Sequence, residues 1–258
     1  MLADGPDLIL IQTGTPPDEI RIPLGDLPDW YCHALGRATD SIEVVRVFDG
    51  DGLPKPDPSR IAVITGSWSM VTDREPWSEA TAAWIRDAMA LEMPLFGVCY
   101  GHQLMAHALG GRVEYHPQGR EIGCHTIRLL PDAPVDVLLS GLPQQFQAHL
   151  THMQTIIDLP PGAYSLAASD HDPHQIVRFG PRAISAQFHP EFTSETSSAI
   201  IKFRADALRQ EGKDPDELLD AVREAPEAAG LLRKFVQTNC LRIASTTALR
   251  SRALSRSL

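Results

Sequence analysis

The 258-residue sequence holds only four cysteines, Cys32, Cys99, Cys124 and Cys240, and no two of them form a CxxC pair. Neither a disulfide framework nor a zinc knuckle is suggested, so a reducing, cytoplasmic setting is expected. No HExxH, HxH or carboxylate-rich loop occurs, and no metal site is expected. GxxxxGK[ST] and GxGxxG are missing as well, so no nucleotide or other cofactor is expected. Positive charge is short: 23 Lys and Arg stand against 33 Asp and Glu, a formal net charge of −10 that argues against a nucleic-acid partner. No apolar run approaches the ~18 residues of a membrane span. The start, MLADGPDLILIQTG, places two acids before its apolar stretch rather than the basic opening of a leader. No membrane partner is expected.

What is present reads as a folded α/β chain. A hydrophobic content of 43% with 22% charged residues lies in the ordinary globular range. The length allows one large domain or two small ones, and one domain with a short helical appendage is expected. Apolar runs at 8–11, 42–47, 61–64 and 95–98 take turns with helical patterns at 27–35 and 79–91. Such alternation predicts βαβ units on a mostly parallel open sheet, and the nearly continuous Ile, Leu and Val of the strands predict cover on both faces. From 112 to 187 the texture changes to short strand candidates at 113–115, 126–130, 147–150, 164–168, 176–177 and 184–187, separated by Pro, Gly and Asp. These predict added antiparallel strands.

Helical patterns at 196–210, 215–223 and 226–236 follow, behind the start signals Ser194, Asp214 and Pro226. The expected organisation is a domain over 1–195, a helical extension over 196–238 packed on it, and a basic tail over 239–258. Beyond Glu227 the chain has no acid and carries Arg233, Lys234, Arg242, Arg250, Arg252 and Arg256. A frayed or self-docked end is expected there, with partner binding as the alternative.

Within G-V-C-Y-G-H-Q, residues 97–103, an apolar strand ends at Val98 and a helical pattern begins at once. A side chain at such a turn projects from the carboxyl end of the strand, where α/β sheets place ligands. The helix N-terminus favours a thiolate there. A lone cysteine is nonetheless more often a small buried hydrophobe, the reading given to Cys32, Cys124 and Cys240. Cys99 differs because S-A-Q-F-H-P-E-F, residues 185–192, answers it. A strand ends at His189, a proline stops the ladder, and Glu191 follows two positions on. A histidine with a carboxylate close enough to hold one ring nitrogen is the base and orienter a thiol nucleophile needs.

With these two motifs the chain resembles the class I glutamine amidotransferases over roughly residues 8–192, in particular their GMP-synthetase glutaminase type. The resemblance implies a flavodoxin-like glutaminase fold. It makes Cys99 the nucleophile, His189 the general base and acid, and Glu191 the carboxylate that orients the histidine. A third matching piece, I-T-G-S-W-S-M-V at residues 64–71, implies an oxyanion hole built from the N–H groups of Ser67 and Tyr100. Many family members have Gly-Gly where this chain has Gly66-Ser67, so a narrower backbone is expected at Ser67. Gly66, Gln103, His152 and Met153 are the implied substrate-binding residues. Gln154 stands where relatives have Asp, which removes a negative charge that could hold an α-ammonium group.

Of the other histidines, His102 is expected to point off the helix start, His107 to sit in the helix, and His116, His125, His171 and His174 to accompany turns. The function implied is release of ammonia from the glutamine side chain through a cysteinyl thioester, with possible delivery to a separate synthetase. A γ-glutamyl peptidase or hydrolase using the same triad is one alternative; a non-catalytic binding or regulatory homologue is another. Oligomeric state is not readable from the sequence.

Overall fold

The computed structural model describes residues 7–254. Leu8, Ile9, Leu10 and Ile11 are all fully buried, with Leu8 and Leu10 in one hydrophobic cluster and Ile9 and Ile11 in another. A strand whose alternate side chains enter two different cores is a strand covered on both faces. The same division recurs in Ile61–Ile64 and Leu95–Val98.

The strands are β1 (Leu8–Gln12), β2 (Glu43–Arg46), β3 (Ile61–Ile64), β4 (Leu95–Val98), β5 (Arg112–Tyr115), β6 (Glu121–Leu129), β7 (Gln145–His152), β8 (Gln154–Asp158), β9 (Tyr164–Ala168), β10 (Ile176–Gly180) and β11 (Ala183–Ala186). Nine of them form one sheet in the order β2-β1-β3-β4-β11-β10-β9-β6-β7. The half from β2 to β11 is parallel, and from β11 onward every pairing is antiparallel. The pair β5 and β8 forms a separate antiparallel ribbon. The expected parallel sheet with antiparallel additions is therefore found, with β11 as the strand shared by both halves.

Helices α3 (Pro76–Ala90) and α4 (Tyr100–Ala108) cover one face. On the other lie α2 (Leu27–Leu35), α5 (Ser194–Phe203) and α8 (Pro226–Leu254). The sequence gives α2 clear ends: Asp26 and Asp29 form a reciprocal cap, and Gly36 closes the helix in the left-handed region at φ 64°. A close approach of α4 to the sheet explains two glycines of the cysteine motif. A Cβ on Gly97 would lie 2.6 Å from the Gly101 backbone, and one on Gly101 would collide with the carbonyl oxygen of Ile64. The helix following Cys99 thus packs backbone to backbone on β3 and β4.

Several elements differ from expectation. Helix α1 (Asp18–Leu24) was not anticipated because Pro23 sits inside it. The pattern at 196–210 is two helices, α5 and α6 (Ala205–Gln210), which meet at Arg204. The segment at 215–223 is helical as α7 (Pro215–Asp220). The helix expected to end at Val236 runs on to Leu254, across the boundary placed at 239. Leu231, Leu232, Phe235 and Val236 are buried in the same core as α2 and β4, and Phe235 lies 5.2 Å from the Phe96 ring. Such side chains each contribute about 1.5–3 kcal/mol on burial, so α8 is held by packing where its own polar pattern is weak. Residues 255–258, with Arg256, and the leader reading at residues 1–6 lie outside the described residues. Among the described residues no helix is long and apolar enough to cross a membrane, and no cluster of candidate metal ligands occurs.

Candidate active site

Three neighbouring parallel strands end at one edge of the sheet, and each feeds a loop into the same place. In register, Ile64 of β3 stands beside Gly97 of β4, and Val98 of β4 beside Ala186 of β11. Gly66 and Ser67 follow β3, Cys99 follows β4, and His189 and Glu191 follow β11. Strand order alone therefore brings together residues 66, 99 and 189, and it does so at the carboxyl edge where open α/β sheets bind ligands.

Cys99 occupies the turn between β4 and α4 with φ 48° and ψ −95°, a region side-chain-bearing residues rarely enter. Its N–H donates to the Ala186 carbonyl at 2.9 Å, and its own carbonyl accepts from the Gln103 N–H at 3.1 Å. These two bonds, with the glycine-mediated packing of α4, hold the unfavourable backbone in place. Strain of this kind costs on the order of 1–3 kcal/mol and collects at functional sites.

His189 is fixed on every side. Its N–H donates to the His149 carbonyl at 2.9 Å. The Phe192 ring stacks on the imidazole at 3.9 Å with planes 11° apart, and on the Gly66 side an added Cβ would come within 2.9 Å of Cε1. Nδ1 donates to Glu191 Oε1 at 2.7 Å, which leaves Nε2 without a hydrogen-bond partner among the described residues and available to the neighbouring Cys99 thiol, whose Sγ lies 3.9 Å from the Thr151 carbonyl. Cys99, His189 and Glu191 are 6%, 5% and 2% exposed, so their charges act on one another with little screening by water. Burial pushes the Cys99 thiol up, but the His189 charge and hydrogen bond outweigh it and the net shift is down. For His189 burial pushes the other way, and the Glu191 carboxylate with the Cys99 sulfur lifts it to about 10. Both shifts favour the thiolate and imidazolium form of the pair, and its two protons titrate as a unit.

A pH profile of thiol alkylation by iodoacetamide tests this pairing. In the intact protein the rate is expected to rise through an inflection below the ordinary thiol pKa, because the imidazolium favours the thiolate. In His189→Gln the inflection is expected to move above it, since burial then outweighs the smaller remaining pull of His152. Coincident profiles would refute the pairing.

Ser67 follows β3 in the loop after Ile64, and Tyr100 occupies the first position of α4. Neither backbone N–H donates to an acceptor among the described residues. Ser67 does not enter positive φ, so the serine imposes no backbone strain, and its hydroxyl steadies the loop by donating to the Thr13 carbonyl at 2.6 Å and accepting from Ser69 N–H at 3.1 Å.

Gln103, His152 and Met153 line a narrow cleft of about 30 Å3 beside Cys99, and Gly66 backs the imidazole. Gln103 is partly committed: Nε2 donates to the Gln154 carbonyl at 2.7 Å and to Gln187 Oε1 at 2.9 Å. Both His152 ring nitrogens are engaged, Nδ1 with the Gln154 carbonyl and Nε2 with buried Glu121, each at 2.9 Å. Burial pushes His152 down and Glu121 more than restores it, for a net rise. His152 thus braces the chain between β7 and β8. Gln154 points its amide to Thr72, so the missing aspartate is not replaced there by another charge. His102 does not point off the helix start: it is fully buried, bonds Ser185 Oγ at 2.7 Å through Nδ1, and burial brings its pKa to about 3. The wider groove of about 570 Å3 near Asp136, Tyr164 and Arg178 lies at the opposite end of β10 and β11.

Sequence reasoning missed Tyr31, Phe192, Trp68, Thr151, Arg120 and Arg204. Phe192 had a signal, an aromatic three positions after the histidine. Tyr31 is fully buried beside Glu191; burial and then the Glu191 charge push its phenol well above the usual range, so its hydroxyl stays protonated next to the carboxylate. The other four come from separate elements and meet only in the fold.

Residues 31–205 match the family model for glutamine amidotransferase class-I. The GMP synthase [glutamine-hydrolyzing] of Thermomicrobium roseum is 35% identical over 127 residues, 49% of this chain and 23% of that protein. That of Thermosipho melanesiensis is 38% identical over 114 residues, 43% of this chain and 21% of that one, so the chain spans under a quarter of these relatives. Gamma-glutamyl peptidase 5 of Arabidopsis thaliana is 24% identical over 214 residues, 81% of this chain and 84% of that protein. The crystal structure of a glutamine amidotransferase from Thermotoga maritima superposes with a TM-score of 0.71 at 23% identity, covering 90% of this chain and 97% of that one, a likeness of fold. With the matched region running from α2 to α6 and containing all three strand-end loops, the chain belongs to the class-I glutamine amidotransferase family.

Proposed function

We propose that this chain is a glutamine amidotransferase-type hydrolase, releasing ammonia from the glutamine side-chain amide with Cys99, His189 and Glu191 as its catalytic triad. The observation that carries the reading is the buried Cys99, His189 and Glu191 line, with Nδ1 bound to the carboxylate and Nε2 left for the thiol. The Cys99 thiolate attacks the carboxamide carbon, and the carbonyl oxygen becomes an oxyanion facing the Ser67 and Tyr100 N–H groups. The His189 imidazolium then gives its Nε2 proton to the departing nitrogen, and a thioester remains. Neutral His189 takes a proton from water, whose oxygen attacks the thioester. Collapse of the second tetrahedral species expels the thiolate and leaves a carboxylic acid with His189 again charged. Donors at an oxyanion are worth about 10²–10³ in rate each. Glu191 holds Nδ1–H and the imidazolium charge throughout.

A separate ammonia-accepting synthetase is part of this proposal, drawn from the GMP synthases that the chain matches over a fraction of their length. Coverage of 84% of gamma-glutamyl peptidase 5 favours a second reading, in which the same triad expels a larger amine from a γ-glutamyl compound. Steady-state assays of ammonia release from glutamine and amine release from γ-glutamyl amides separate the two. Higher kcat/KM on glutamine is expected; turnover confined to γ-glutamyl amides would replace the first reading by the second.

A further inference from the structure

Three buried polar atoms beside Cys99 have no hydrogen-bond partner: Trp68 Nε1, Thr151 Oγ1 and Arg204 Nε. All three residues line the one cleft that also holds Cys99. Buried donors are ordinarily satisfied, and those left open in a fold point to a ligand. Arg204 is the most telling, since its side chain has no ion pair or hydrogen bond among the described residues. It sits at the junction of α5 and α6 and lines the cleft. Burial, and then the neighbouring Arg120, bring its pKa down to about 10, and the charge of Glu211, which is bound to Arg120, offsets them only in part. Arg120 is already satisfied, gripping Glu211 through Nε and Nη2 at 3.0–3.2 Å.

No aspartate or glutamate lines this cleft. Glu121 lies behind His152, bound to it and to Ser169 and Gln175, and Gln154 is neutral. Apart from the Cys99 sulfur, the cleft lining therefore offers donors and positive charge for a carboxylate and no carboxylate for an ammonium group.

We propose that Arg204, with Trp68 and Thr151, forms a carboxylate subsite, and that the enzyme accepts amides of carboxylate-bearing acyl chains whether or not they carry an α-amino group. This rests on the reading of Cys99 as the reacting residue only for turnover; binding stands apart from it. A charge-assisted hydrogen bond is worth roughly 10–100-fold in affinity.

Calorimetric binding to the Cys99→Ala protein is the first test. Glutaramate, which is glutamine without its amino group, is expected to bind within about tenfold of glutamine. The compound 4-aminobutanamide, glutamine without its carboxylate, is expected to bind at least roughly 100-fold more weakly. In Cys99→Ala combined with Arg204→Gln, the preference for glutaramate over butanamide is expected to collapse, while Arg204→Lys keeps part of it. In the native protein the same order should appear in kcat/KM, carried by KM. Equal binding of glutaramate and butanamide, or a preference undisturbed by Arg204→Gln, would overturn the subsite. So would preferred binding of N-butanoylglycine, which carries its carboxylate on the leaving side. Loss of turnover with binding preserved would overturn the triad reading and leave the subsite standing.

Discussion

Cys99→Ala is expected to abolish glutamine hydrolysis, lowering kcat on the order of 10⁵-fold or more while leaving thermal unfolding nearly unchanged. Removing the nucleophile of a triad leaves only binding and oxyanion stabilisation, which is the residue of catalysis seen when such groups are deleted. Alanine keeps a Cβ, so it inherits the same φ of 48° and the same backbone bonds to Ala186 and Gln103. The fold should accept it. Cys99→Ser is expected to fall nearly as far, because a hydroxyl beside His189 stays protonated where a thiol ionises. Ammonia release measured against circular dichroism of the same samples decides the matter. Undiminished turnover by the alanine variant would remove Cys99 from the mechanism, and a collapsed melting transition would make it a packing residue.

Glu191→Gln is expected to lower kcat by roughly 10³–10⁴-fold with little change in KM. The side chain is 2% exposed and accepts the Nδ1 proton at 2.7 Å, so an isosteric amide fits the space. It loses the negative charge, and it can offer N–H to the ring in place of an acceptor, selecting the tautomer with its proton on the wrong nitrogen. The sign of the pH effect follows from the pair. His189 is raised to about 10 by Glu191 and the Cys99 sulfur, both acting against burial. Without the carboxylate the imidazolium loses support, its pKa falls, and the thiolate loses its counter-ion. The thiol's apparent pKa then rises, and the acid limb of the kcat/KM profile moves to higher pH. A variant with native rate, or an acid limb that stays in place, would mean that another group orients His189.

Cys99 and His189 were legible in the sequence because each follows a strong apolar strand, where a glycine or proline marks the turn, and Glu191 because it stands two positions past that histidine. The strand at 95–98 and its successor Cys99 could be read from seven consecutive residues, and His189 from a strand stopped by Pro190. Strand β8 was not legible. It follows β7 after a single residue, Met153, and pairs with β5, some forty positions earlier, in a ribbon outside the main sheet. The length of α8 left a negative trace: no glycine or proline occurs after Gly230, so nothing in the chain stops the helix at Val236. The cleft was hidden for a different reason. Trp68, Arg120, Thr151 and Arg204 are four ordinary residues on four loops or element ends, and no local pattern joins them before the sheet does.

The imidazole held between Phe192 and Gly66 carries a consequence for the order of events. A ring that cannot swing delivers and collects its protons at a single point beside the sulfur. In the proposed reaction the nitrogen that leaves and the water that arrives must use that point in turn, so departure comes before entry, and the acyl group waits on the sulfur between them. An amine that lingers holds the only berth, and its return rebuilds the starting amide. How quickly the vacated berth is cleared, rather than how strongly water is activated, then divides the waiting acyl group between going forward and going back.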